Sequence, residues 1–176
     1  MQEAGEKARS YFMQGYNCSQ SVFLVFAPQL GLGKDTAARL SQAFGGGICR
    51  MREVCGTMSG VLMVLSLLKG SADGSDKGAK DALYKEGQLL AARFRADNGS
   101  IICRELLGLA PVDGGTRYLR PAAAEDSTTA PVSEARTDSY YKKRPCPELC
   151  RYAAELFQRY LDGTLEPAET SSGGQE

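Results

Sequence analysis

The segment 53–69, "EVCGTMSGVLMVLSLLK", constrains the chain most. As a helix it is apolar around most of its surface, so other elements must bury it and it becomes the central helix of a bundle. Gly56 and Gly60 stand four apart on one face, where a neighbouring backbone can approach closely. The run 60–68 is the longest apolar stretch in the chain. It is too short for a bilayer, which needs about 20 residues.

Helical periodicity continues on both sides of this segment. Residues 2–14 place Ala4, Ala8, Tyr11 and Phe12 on one face, and Gly15 ends them. Asn17 with Gln20 three residues on reads as a capping box for a helix over 18–30. Asp35 is expected to cap a helix over 36–44, and "FGGG" follows. A fifth helix is expected over 77–96, with Ala79, Leu83, Leu90 and Phe94 on one side. Ser100 would cap a short sixth helix reaching Leu107. The last helix is expected to start at Pro147, with Leu149, Tyr152, Ala153, Leu156, Phe157, Tyr160 and Leu161 as its stripe. No strand pattern competes. The expectation is an all-α fold: a compact bundle of about six or seven helices, one domain over 1–163, and a loose tail over 164–176. Residues 110–145 carry many Pro, Ala, Ser and Thr without periodicity. They are expected to be a long irregular segment before the last helix, held across the bundle by Tyr118, Leu119, Tyr140 and Tyr141.

The chain has 176 residues, with 21 basic and 21 acidic side chains. That balance points to neither nucleic acid nor an anionic membrane as partner. The polar, charged N-terminus does not read as a signal peptide. A soluble cytoplasmic protein is therefore expected, in a compartment that keeps thiols reduced. The sequence contains no histidine, which excludes Cys-His and Ser-His-Asp hydrolases and the HExxH metalloproteases. Six cysteines remain as the chemistry-bearing residues.

Four of them fall at expected helix starts: Cys18, Cys55, Cys103 and Cys146. A helix start carries unpaired N–H groups and a partial positive charge, which favours thiolate over thiol. Core filling is the competing reading, since free cysteines are often simply buried. No CxxC is present, so the usual thioredoxin and zinc-ribbon spacings are missing. Arg50 and Arg52 would add positive potential near Cys55, making it the expected thiolate, or else serve only as solvated charges. Gly45, Gly46, Gly47 and Gly56 are the glycines expected beside a bound group, leaving Cys55 reachable by a partner thiol or a metal. Cys150 lies one turn after Cys146 and is expected to be a packing residue or an auxiliary thiol, with Cys146 facing the shared site.

Taken together, "GYNCSQSV", "FGGGICRMREVCGTMSGVLM", "ICRELLG" and "RPCPELCRYAAELF" resemble the C_GCAxxG_C_C family of redox-active proteins. The segments occur in the family's order and cover most of the chain outside 110–145. The resemblance matches Cys18, Cys55, Cys103 and Cys146 to the family cysteines. Cys49 and Cys150 are additions, where a glycine and an aliphatic residue are expected; Thr57 stands in place of alanine. The resemblance implies a redox class and names no substrate.

Three functions follow as expectations. The first is thiol–disulfide or electron-transfer chemistry, with Cys55 reacting and Cys18 or Cys103 resolving, against a redox partner protein or a small thiol or disulfide. The second uses Cys18, Cys55, Cys103 and Cys146 as ligands of an iron–sulfur cluster or zinc. The third is a helical interaction module with structural cysteines. A homodimer is compatible with each.

Overall fold

The structure, a computed structural model, describes residues 2–109 and 129–166. Those residues form eight α-helices: α1 Gln2–Met13, α2 Cys18–Phe26, α3 Lys34–Gln42, α4 Gly56–Lys69, α5 Lys77–Asn98, α6 Cys103–Leu106, α7 Asp138–Lys143 and α8 Cys146–Leu161. A 3₁₀ turn, Ala27–Leu30, extends α2. Pro28 within that turn explains the early end, because proline has no N–H to continue the α-helical ladder. No strand occurs among the described residues; the one extended pairing is an isolated antiparallel bridge between Val54 and Ile102. The protein is all-α, as the periodicity requires. No helix among the described residues is long and apolar enough to cross a membrane.

The innermost helix is α2 rather than α4. All nine residues of α2 are buried, whereas α4 leaves Leu67 and Leu68 exposed at its C-terminal end. The difference arises because α2 is enclosed by α1, α3, α4 and α8, while α4 packs on α2, α5 and α8. The polar side chains Gln20 and Ser21 are accommodated by local bonds. Gln20 Nε2 donates to the Ala38 carbonyl at 3.0 Å and Ser21 Oγ donates to the Asn17 carbonyl at 2.8 Å. The capping box is present: the Asn17 side chain accepts from the Ser19 and Gln20 N–H groups, and Gln20 Oε1 accepts from the Asn17 N–H.

Gly56 and Gly60 do what their spacing implied. A β-carbon on Gly60 would lie 2.9 Å from the Ser19 carbonyl oxygen, so α4 touches the backbone of α2 along this face. Around that contact pack Phe12, Phe23, Phe26, Met58, Leu65, Leu90, Phe94, Leu156 and Phe157, all essentially inaccessible. Phe26 and Phe157 meet edge to face at 5.1 Å. Each such buried aromatic contributes about 3–5 kcal/mol against truncation to alanine.

Several boundaries move. α4 begins at Gly56, not at 53, with Cys55 as its N-cap residue. α3 begins at Lys34 with Gly33 at its cap, so Asp35 lies within the first turn. Ile102 occupies the cap of α6, and the Ser100 hydroxyl accepts the Ile102 N–H at 2.9 Å. α8 begins at Cys146 behind Pro145. The expected irregular segment contains α7, capped by the Thr137 side chain on the Tyr140 N–H. Six residues are too few for a periodic signal, which is why α7 was not legible. Tyr140 and Tyr141 pack against the core, with Tyr141 on Phe12 at 6.2 Å. Tyr118, Leu119 and most of the expected tail lie outside the described residues.

Candidate functional site

One end of the bundle holds a cavity of about 540 Å³, lined by residues from six separated parts of the chain. Cys18, Cys49, Cys55, Cys103 and Cys146 all line it. Cys18, Cys55 and Cys103, far apart in the sequence, are therefore brought to one cavity. Cys18, Cys55 and Cys103 are buried, Cys146 is half-buried and Cys49 is exposed.

Local backbone chemistry explains how the thiols arrive there. The Asn17 side chain, besides capping α2, donates from Nδ2 to the Gln42 carbonyl at 2.8 Å. This ties the start of α2 to the loop after α3. Gly45 lies against Asn17, and a β-carbon there would come within 2.2 Å of its Cγ. The following Gly46 N–H donates to Cys18 Sγ at 3.4 Å. From Gly46 the chain runs left-handed, through Gly47, Ile48, Cys49 and Arg50, and again at Arg52, all with φ between 46° and 71°. Each non-glycine residue in that region costs roughly 1–2 kcal/mol. The return is orientation: Cys49 reaches the exterior while Arg52 turns inward and is 3% exposed.

A second short pairing brings Cys55 and Cys103 into register. The Cys55 N–H donates to the Ile101 carbonyl at 2.8 Å, and the Cys103 N–H donates to the Glu53 carbonyl at 2.6 Å. The Arg104 guanidinium grips Glu53 with two bonds of 3.1 and 3.0 Å across the same pair of segments. Gly47 fits beneath this bridge; a β-carbon there would strike Cys103 Cβ at 2.6 Å. Gly45 and Gly46 line the cavity, while Gly47 and Gly56 support Cys103 and Cys18 from behind.

The electrostatics differ from the expectation that Cys55 is the activated thiol. Burial pushes the Cys55 thiol far up, and charge on Cys18 adds to that; the Thr57 hydroxyl, 3.2 Å from its sulfur, offsets only part. The arginine effect falls on Cys103 instead. Burial raises Cys103 as well, followed by Cys18, but Arg52 opposes the rise through charge and a hydrogen bond, and Arg144 through charge. Burial and the charges on Cys18 and Cys103 push Cys146 up to about 12. Cys150 is fully buried in the core, outside the cavity lining, with its S–H directed to the Cys18 carbonyl at 3.9 Å.

Some cavity residues were not singled out from the sequence: Arg136, Arg144 and Glu134, all from the stretch read as irregular. Arg136 lies 4.5 Å over the Phe12 ring and donates to the Tyr16 carbonyl at 3.3 Å. It fastens this stretch to the end of α1.

The cysteines and arginines of the cavity fall inside the region that matches a known family model, residues 16–160, whose description is "Putative redox-active protein (C_GCAxxG_C_C)". The chain belongs to the C_GCAxxG_C_C family. No significant match exists among curated proteins or among solved structures. The family assignment supplies a redox class; the residue roles rest on the cavity. As for a resident metal, among the described residues no group of three or more cysteine, aspartate or glutamate side chains is gathered as ligands of one ion.

Proposed function

We propose that the protein performs thiol–disulfide exchange on a small disulfide, with Cys18 as the attacking thiolate and Cys103 as the resolving thiol. The observation that carries this reading is the single cavity shared by Cys18, Cys55, Cys103 and Cys146, four thiols from four separate elements. Cys18 takes the first role because it opens α2 and its sulfur receives the Gly46 N–H. Both features favour a negative sulfur. Cys103 takes the second because Arg52 and Arg144 favour its ionised form. Cys55, the thiol favoured from sequence, is held protonated by burial and is the third member of the group.

In the first step the Cys18 thiolate attacks one sulfur of the substrate RSSR. The S–S bond breaks, RS⁻ leaves and a Cys18–S–S–R mixed disulfide forms. Cys103 then gives its proton to the departed RS⁻ and attacks the Cys18 sulfur. The second RS⁻ leaves and takes a proton from water. The protein loses two electrons and becomes a disulfide; the substrate gains them and becomes two thiols. A thiol reductant reverses the oxidation by the same chemistry. Six free cysteines, none paired as a static disulfide, suit a reducing compartment such as the cytoplasm.

The test uses the reduced full-length chain mixed anaerobically with hydroxyethyl disulfide. Peptide mapping by mass spectrometry should find a Cys18–Cys103 disulfide, and Cys18→Ser should abolish its formation. Native protein that forms no internal disulfide, or anaerobic preparations carrying stoichiometric iron and sulfide, would overturn the reading in favour of a cluster.

A further inference from the structure

The thiol cavity is unusually cationic for its chain. Among the described residues it is lined by Arg50, Arg52, Arg136 and Arg144, with Glu134 as the one acidic lining side chain. Among the described lining residues basic side chains outnumber acidic ones, in a protein whose 21 basic and 21 acidic residues cancel. The crowding is felt within the cluster: burial and the charges of Arg52 and Arg144 work against the protonated form of Arg50, and Glu134 works for it.

Glu134 shows where a negative group is accepted. One of its carboxylate oxygens, Oε1, is shared between Arg144 Nη2 and Arg50 Nη1, the latter at 3.6 Å. The two guanidinium side chains are 18% and 17% exposed, while Glu134 is 46% exposed. The arginines thus form the wall and the carboxylate sits at the mouth, carried on a segment that also gives Arg50 Nε a carbonyl, Ala130 O, at 2.8 Å. Each guanidinium has five N–H donors in a fixed fork suited to carboxylates, and one shared oxygen uses few of them.

We propose that the substrate is an anionic small-molecule disulfide, one of whose carboxylates displaces Glu134 from between Arg50 and Arg144 and so places the S–S bond among the cavity cysteines. This rests on the thiol-exchange reading and adds the substrate class. The space suits such a molecule: about 540 Å³ falls within the roughly 300–1,000 Å³ common for small-ligand clefts. Arg136, on the same lining, provides for a second negative group. Glu134 then acts as a tethered competitor that neutralises the subsite when no substrate is present.

The experiment compares three disulfides with the reduced full-length protein: dithiodipropionate, a dianion; hydroxyethyl disulfide, neutral; and cystamine, a dication. Each rate is divided by the rate of the same disulfide with the protein unfolded in urea. Charge steering and pairing should favour the dianion over the neutral compound by about tenfold or more, with cystamine slowest. Salt should narrow the gap, because the subsite lies at the cavity mouth. Arg50→Gln should shrink the dianion preference, and Glu134→Gln should widen it by removing the competitor. A readout free of redox chemistry is calorimetric binding of thiodipropionate, which has no S–S bond; Glu134→Gln should tighten it and Arg50→Gln should weaken it.

Equal normalised rates for the three disulfides, with no heat from thiodipropionate, would overturn the anionic substrate while leaving thiol exchange intact. Thiodipropionate binding without consumption of any disulfide would do the opposite, keeping the anion subsite and removing the exchange reaction. Glu134→Gln that weakens thiodipropionate binding would overturn the displacement of Glu134.

Discussion

Gly56 and Cys18 share one space: a β-carbon at position 56 would lie 2.5 Å from the Cys18 sulfur and 2.8 Å from the Phe44 carbonyl oxygen. The first contact is with the proposed nucleophile and the second with backbone, so neither yields cheaply. Gly56→Ala should therefore destabilise the protein by about 1–3 kcal/mol, the usual range for overpacking. The gain in helix propensity, at most about 1 kcal/mol, is smaller and does not reverse the sign. Gly60→Ala presses on the Ser19 carbonyl instead and should cost stability without changing Cys18 alkylation, whereas Gly56→Ala should change both. Urea titration and site-resolved alkylation distinguish the two variants.

Arg52 is nearly inaccessible and its charge and hydrogen bond hold the Cys103 thiol below where burial alone would put it. Arg52→Met removes that support, so Cys103 becomes harder to ionise. Its alkylation at mildly alkaline pH should slow measurably. Unchanged Cys103 alkylation would show that Arg52 does not act on this thiol.

Cys49 occupies left-handed backbone, φ 46°, at the position where family resemblance anticipates glycine. A side chain there costs roughly 1–2 kcal/mol, partly offset because glycine loosens the unfolded chain. Cys49→Gly should raise stability by about 1 kcal/mol, measured by urea unfolding. A lower midpoint would mean that the exposed thiol makes contacts worth more than the strain.

The raised thiols make stability depend on alkaline pH. Cys55, Cys103, Cys146 and Cys150 are all pushed above the ordinary 9.0, chiefly by burial, and Cys146 reaches about 12. As pH rises past 9.0 the unfolded chain releases these protons first, while the folded chain keeps them. Their stabilising effect is thus complete below that pH and declines above it, through about 12 for Cys146. Each group subtracts up to about 1.4 kcal/mol per pH unit over its window. The urea midpoint of anaerobic protein should be lower near pH 10 than near pH 7; equal midpoints would contradict the burial of these thiols.

The sequence by itself determined the all-α class, the capping box at Asn17, and the small-residue face of Gly56 and Gly60. These depend on residues within a few positions of one another, where periodicity and cap chemistry are sufficient. It also gave reason to place four cysteines at helix starts, since such a position is a local property. Tertiary structure decided which helix lies innermost, because burial of α2 depends on four neighbours and not on its own composition. It likewise decided which thiol meets which cation. Arg52 is three residues from Cys55 in the chain, yet the left-handed turn and the Val54–Ile102 bridge direct its effect to Cys103. Arg136, Arg144 and Glu134 carried no legible signal, because a cavity wall has no sequence period. Their charges act through space, at distances that only the folded chain defines.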